Sequence, residues 1–176
     1  MIDDSLYACV DSNCASPTDS TAANTALARS VSGIVCMLAR VCVDGGATRQ
    51  HLAAPDVHSA EVNAAGTGLQ RVSVLAEMLR EMSIPTGAVP IYVDSESTLL
   101  VANNERSVKR SVWTIRRVIV LQEAVAHELA AVRKIDEADN LADLLTKYLK
   151  FVRWRRHIDI IMNYSGTRRP PVDWRL

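Results

Sequence analysis

Between residues 58 and 82 the hydrophobic pattern runs at one period, and on either side of that stretch it runs at another. Val62, Ala65, Leu69, Val72, Ala76 and Leu79 recur at alternating spacings of three and four, which draws a single apolar stripe along a helix and predicts that helix from about Ser59 to Met82. Upstream, Leu6-Tyr7-Ala8-Cys9-Val10 reads as a strand, and the run SVSGIVCMLARVCVDGG is β-rich and long enough for two antiparallel strands. Their turn falls near Leu38 to Arg40 or at Asp44-Gly45-Gly46, two alternatives the pattern leaves open. Gly66 and Gly68 each cost the helix roughly 1 kcal/mol against alanine, so they mark close packing of helix on sheet.

After the helix, SIPTGAVP ends the pattern, and Ile91-Tyr92-Val93 forms a short strand that begins at Pro90, where proline is tolerated. Residues 107 to about 128 mix β-branched content with the spacing Val108, Val112, Ile115, Ile119 and Ala126, and length with spacing favours a helix. AAVRKI at 130 to 135 is a further strand. Asp139 or Asn140 then opens a last helix with Leu141, Leu144, Leu145 and Tyr148 on one face. The order β, β, β, α, β, α, β, α describes a mixed α/β layer fold with its antiparallel portion first.

A chain of 176 residues suits one domain, read here as residues 1–150, with a basic, aromatic tail over 151–176. No apolar run approaches the roughly 20 residues of a membrane span. The start MIDDSLYACVDSN lacks a basic segment followed by an apolar one, so the expected location is intracellular, in the cytoplasm or the nucleus. Cys9, Cys14, Cys36 and Cys42 lack the close paired spacing of zinc sites, and buried free thiols are expected. Lys plus Arg equals Asp plus Glu at 20 each, so no net field draws in a polyanion. The C-terminal stretch differs: Lys147, Lys150, Arg153, Arg155 and Arg156 alternate with Tyr148, Phe151 and Trp154. That mixture suits a nucleic-acid backbone and its bases, or equally a tail that packs its aromatics on the domain.

Four acids stand at places where strands end or helices start. The first strand stops at Asp11 and PIYVD stops at Asp94, while Glu61 and Asp143 lie in the first turns of helices, in HSAEVNAA and NLADLLTK. Strand ends and helix starts converge on one edge of such a sheet, where α/β folds bind their ligands. Taken singly, each acid has an ordinary alternative: Asp94 as a helix cap, Glu61 and Asp143 as complements to a helix dipole, Asp11 as a turn former. Taken together, clustered carboxylates repel unless cations neutralise them, and hard oxygen ligands select Mg²⁺ or Mn²⁺.

The combination of YACVDSN, RSVSGIVCML, HSAEVNAA, IYVDSEST and NLADLLTKYL, in order over roughly residues 5 to 150, resembles the ribonuclease H domain at the end of copia-type (Pseudoviridae-like) retrotransposon polyproteins. SAE with ADLLTK is its most specific part. The resemblance implies a ribonuclease H-like α/β fold, with a mixed five-stranded sheet of three antiparallel strands then parallel ones, and helices on both faces. It implies that Asp11, Glu61, Asp94 and Asp143 are catalytic and hold two Mg²⁺ ions, with Mn²⁺ as a substitute. Asp11 would bridge the ions, Asp143 would serve the one that activates water, and Glu61 with Asp94 the other. Two features depart from the wider pattern. No histidine stands between Lys134 and Asp143, His127 lying too early, and no aromatic follows Asp11 in VDSNC.

The implied reaction is endonucleolytic hydrolysis of the RNA strand of an RNA–DNA hybrid during reverse transcription, with a reverse transcriptase domain as partner. Ser12, Asn63, Ser95 and Ser97 sit beside the acids, where they would meet sugars and phosphates. The alternative is a catalytically inactive ribonuclease H-like module that binds nucleic acid or another protein. Neutral net charge favours that alternative, since hybrid binding by a neutral domain is weak and salt-sensitive; four intact acids favour the enzyme. The sequence leaves the oligomeric state open.

Overall fold

The computed structural model describes residues 6–13, 29–51, 54, 56–104 and 112–164. Strands β1 (Leu6–Asn13), β2 (Val31–Leu38) and β3 (Val41–Arg49) precede helix α1 (Val57–Glu81); β4 (Val89–Val93), α2 (Glu96–Ala102), α3 (Val112–Ala126) and β5 (Ala130–Lys134) follow, and α4 (Asp143–Thr146) and α5 (Phe151–Ile161) close the described chain. One five-stranded sheet runs in the order β3-β2-β1-β4-β5. β1, β2 and β3 pair antiparallel, whereas β4 pairs parallel with both β1 and β5.

The two faces of the sheet bury two separate cores, because alternate residues of each strand point to opposite sides. Ala8, Val10, Ile34 and Ile91 meet the stripe of α1, namely Val62, Ala65, Leu69, Val72, Ala76 and Leu79, together with Val118 and Leu121 of α3. Tyr7, Cys9, Val35, Met37 and Tyr92 meet Leu141, Ala142 and Leu145 around α4, and Ile160 and Ile161 of α5. Tyr7 and Tyr92 pack edge to face there, with centroids 5.8 Å apart. Helices thus cover both faces. Gly68 is the close approach of α1 to the sheet, since a Cβ there would collide with Val10 Cγ1; Gly66 faces Arg117 of α3 instead.

The structure decides between the two turn alternatives and corrects several other local expectations. The β2–β3 turn is Ala39–Arg40, both at positive φ (49° and 68°), the mirror-image two-residue hairpin that matches strand twist. Asp44-Gly45-Gly46 stays inside β3. β1 does not stop at Asp11, because β2 continues far enough to pair Ser12 with Ser32 and Asn13 with Val31. An extra short helix, α2, follows Asp94. The last predicted helix breaks: Lys147 leaves α4 with extended backbone, so Tyr148 is fully exposed rather than on the apolar face. A new helix, α5, then occupies the start of the segment read as a tail. Cys9 and Cys36 are buried and Cys42 partly so, all as free thiols; burial pushes the Cys9 and Cys36 thiols up to about 12. Cys14, Val108 and residues 165–176 lie outside the described residues. No helix among the described residues is long and apolar enough to cross a membrane.

Candidate active site

β1 and β4 separate after the pair Cys9↔Tyr92, and the crevice they open is where the acids meet. Asp11 lies two residues beyond that last pair, on the sheet face of Tyr7 and Cys9. Asp94 directly follows β4. Glu61 arrives from α1 on the opposite face. Its position is the fifth residue of α1, not the first turn, which is capped by Asp56 accepting from the Ser59 amide at 2.7 Å. Asp94 is no cap either, because Ser95 Oγ accepts the Thr98 amide at the start of α2. One ligand oxygen each from Asp11, Glu61 and Asp94 lies within 4.8 Å of the others.

Asp143 stands at the start of α4, fully buried, and belongs to a second, cation-rich group. Lys147 Nζ lies 3.0 Å from Asp143 Oδ1, 3.2 Å from Asp11 Oδ1 and 3.6 Å from Asp94 Oδ2. Arg153 of α5 takes the other oxygen of Asp143, and the Thr146 hydroxyl donates to Asp11 Oδ2. Gly33 makes this docking possible. A Cβ there, directly across from Asp11 in the β1–β2 register, would sit 2.7 Å from Thr146 Cγ2 and 2.9 Å from the Ala142 carbonyl.

Burial sets the electrostatics. It pushes the Glu61 carboxyl up to about 8, reinforced by the charges of Asp11 and Asp94. Burial also raises Asp11, with Thr146 and Lys147 opposing. Among the described residues, buried Asp11 Oδ1 has the Lys147 ammonium beside it and no other donor. Hard oxygen donors, converging and short of positive charge, fit a divalent cation.

The weaker candidates divide into two clusters. Ser12 and Asn63 gather on Gln50, whose Nε2 donates to Ser32 Oγ at 2.9 Å and to the Ala60 carbonyl at 2.9 Å, with Ser12 Oγ at 3.5 Å; Asn63 Nδ2 donates to Gln50 Oε1 at 3.2 Å. Ser95 and Ser97 hydroxyls lie 3.0 Å apart, and Ser97 shares a 3.1 Å hydrogen bond with His58 Nδ1. His58, one helical turn before Glu61, escaped the sequence reading, as did the reach of Lys147 and Arg153. Its signal was the spacing of three from Glu61, which puts both on one helix face. His127 lies exposed beyond α3. On α5, Phe151 and Trp154 stack at 6.0 Å, while Arg155 and Arg156 pair with Asp159 and Asp139.

No protein-family model matches the chain, and no curated protein matches it. Solved structures do. An RNase H1 isolated from compost by a metagenomic approach aligns with a TM-score of 0.59 at 13% identity, covering 80% of this chain and 91% of that one. The same enzyme in complex with an RNA/DNA hybrid gives 0.58 at 13%, covering 80% and 92%. The N-terminal RNase H domain of a Mycobacterium tuberculosis protein gives 0.54 at 14% over 88% of this chain and 96% of that one. Foamy viral protease–reverse transcriptase in complex with an RNA/DNA hybrid gives 0.52 at 14%, over 82% of this chain but 19% of that one. With its sheet order, its helices on both faces and these neighbours, the chain has a ribonuclease H-like fold.

Proposed function

We propose that the chain is a divalent-metal-dependent ribonuclease H, which hydrolyses the RNA strand of RNA–DNA hybrids and leaves a 3′-hydroxyl and a 5′-phosphate. The observation that carries this reading is the convergence of Asp11, Glu61 and Asp94 within 4.8 Å at the β1–β4 crevice. Bound Mg²⁺, with Mn²⁺ as a substitute, supplies a positive centre that activates water and stabilises the charge on the leaving oxygen. Asp11, Glu61 and Asp94 would hold such an ion, and Asp143 with Asp11 would serve a second. The Gln50 cluster with Ser12 and Asn63, and the Ser95–Ser97–His58 cluster, flank the acids where sugar hydroxyls and phosphates would lie. A wide minor groove showing 2′-hydroxyls is what tells an RNA strand from DNA there.

The copia-type motifs support a place in reverse transcription of a retrotransposon, inside the cell and beside a reverse transcriptase domain. The foamy viral neighbour, a protease–reverse transcriptase, is consistent with such a partner. One observation favours the second reading, an inactive module that binds nucleic acid: Asp143 already carries two cationic partners, Lys147 and Arg153. Cleavage of labelled RNA–DNA hybrid with Mg²⁺ or Mn²⁺, beside EDTA and with duplex DNA and duplex RNA as alternatives, separates the two. Metal-dependent cutting of the RNA strand alone supports the nuclease. Binding of hybrid with no cutting in either metal sinks it in favour of the module.

A further inference from the structure

Helix α5 keeps one face on the domain and turns another, rich in aromatics, to solvent. Its inward face carries His157, fully buried, with Ile160 and Ile161 against the sheet, and Arg153, whose guanidinium reaches Asp143 and Glu137. Phe151 opens the helix on the outward side, 74% exposed, and Tyr148 just before it is fully exposed. Trp154 is 42% exposed and lies against Phe151, the two ring planes 23° apart with centroids at 6.0 Å. Aromatics that packed on the domain would be covered, and these are not.

Burying an aromatic side chain is among the larger gains a fold can make. Three left open between residues 148 and 154 therefore mark a surface kept for a partner. The charges around them give that partner's chemistry. From Lys147 to Arg156 the chain places five basic residues and no acid, in a protein whose net charge is zero. Lys147, Arg153 and Arg156 turn to the domain's own acids, Asp143 and Asp139, which leaves Lys150 and Arg155, both exposed, beside the rings. Arg155 shares Asp159 one turn on, an exposed pair that water already weakens. An apolar protein face gains nothing from that positive rim, whereas a single-stranded nucleic acid offers a π face on every base and a phosphate at every step. Paired bases in a hybrid are already stacked on one another, so the rings fit unpaired nucleotides.

We propose that Tyr148, Phe151 and Trp154, with Lys150 and Arg155, form a stacking platform for a single-stranded nucleic acid, separate from the acids. Its place in the fold gives it a use that rests on the proposed function. Arg153, on the same turn of α5 as Phe151 and Trp154, is also the residue that grips Asp143. The platform thus adjoins the acids, where an unpaired strand leaving the hybrid would meet it. Hybrids with a single-stranded tail are therefore bound more tightly than blunt ones.

The test is fluorescence anisotropy of labelled oligo(dT), of blunt RNA–DNA hybrid and of the same hybrid carrying a single-stranded tail, all on the full chain in EDTA. Cleavage plays no part in this readout, so an inactive chain can support the platform and an active one can refute it. Wild type is expected to bind oligo(dT), and to hold the tailed hybrid about tenfold more tightly than the blunt one. Phe151→Ala and Trp154→Ala should each weaken oligo(dT) binding by about tenfold and remove the preference for a tail, with blunt-hybrid affinity and thermal melting as in wild type. Phe151→Leu, which keeps an apolar side chain but no ring, should behave as Phe151→Ala does. Should Trp154→Ala fail to fold, the more exposed Phe151 decides. Ring-dependent binding of oligo(dT) without a tail preference supports the platform and refutes its use beside the acids. Affinity that falls with Lys150→Gln but with neither ring variant overturns the platform, since charge alone then binds. Failure of wild type to bind oligo(dT) overturns it too, and self-association abolished by Phe151→Asp would then make this face a contact between copies of the chain.

Discussion

Asn140 Nδ2 donates to the Val10 carbonyl at 2.9 Å, across 130 residues of chain, and both groups are buried. β4 no longer pairs with β1 beyond Tyr92, so this amide takes up the strand carbonyl just before Asp11. Asn140 Oδ1 also accepts the Ala142 amide at 3.2 Å, which fixes the approach to α4. Asn140→Ala leaves the carbonyl buried without a donor, a cost of about 1–3 kcal/mol, or a melting temperature lower by roughly 2–4 °C per kcal/mol in a chain of this size. Mn²⁺ affinity should fall with it, because Asp11 and Asp143 lose their common anchor. A variant with wild-type melting and metal binding would remove Asn140 from the site's support.

Gly33 predicts a sharper contrast. Gly33→Ala drives a methyl against Thr146 and the Ala142 carbonyl, and α4 must lift from the sheet, at a cost of about 1–3 kcal/mol for overpacking. Gly87, with nothing among the described residues within 4 Å of an added Cβ, is the control. Thermal melts of the two alanine variants should show a loss at 33 and none at 87. Equal melts would mean that α4 yields without cost.

Asp94→Asn separates stability from chemistry. Ser95 already caps α2, and Asp94 adds to the charge that raises both Glu61 and Asp11. Removing it should leave the melting temperature of metal-free protein unchanged or higher, while abolishing metal-dependent cutting. A large drop in stability would instead make Asp94 a structural residue.

The architecture was legible where signals are local. The α1 stripe, the β-rich start and the acid after Val93 are patterns of a few residues, and each lies where its period puts it. Features requiring distant partners were not legible. The Ala39–Arg40 turn has no glycine to advertise its left-handed backbone, so Asp44-Gly45-Gly46 looked equally suitable. Arg153 lies ten residues past Asp143 across a helix break, and nothing in the sequence marks the two as neighbours. Lys147 carried a usable signal, its spacing of four from Asp143, yet it read as the start of a run of basic and aromatic residues. The same segment hid His157, which is fully buried beneath apolar and basic neighbours on α5.

His157 makes the acid side of the stability profile testable. Burial, then the charges of Arg153 and Arg156, lowers its imidazole from 6.5 to about 4, and neither ring nitrogen has a hydrogen-bond partner among the described residues. The unfolded chain therefore binds the proton more readily. The contribution is present in full above pH 6.5 and is lost as pH falls towards 4. Replacing His157 with leucine should flatten that limb of a melting-temperature profile, and an unchanged slope between pH 6.5 and 4 would exclude His157 as its source.

Glu61 has the opposite sign. Its folded carboxyl titrates at about 8 against an ordinary 4.5, so the folded state holds the proton more tightly than the unfolded one. Stability from this group is complete below pH 4.5 and is lost as pH rises through 8. Below 6.5 His157 opposes it, which leaves pH 6.5 to 8.5 as the window where Glu61 acts alone of the two. Each unit is worth about 1.4 kcal/mol, so melting of metal-free protein should fall there by several degrees, at roughly 2–4 °C per kcal/mol. Glu61→Gln should remove most of that fall, because the amide has no proton to lose. Saturating Mn²⁺ should remove it as well, since a cation then answers the charge that the proton had answered. A metal-free profile that is flat across this window in wild type would mean that Glu61 is solvated in the folded chain and the acids do not form a closed cluster.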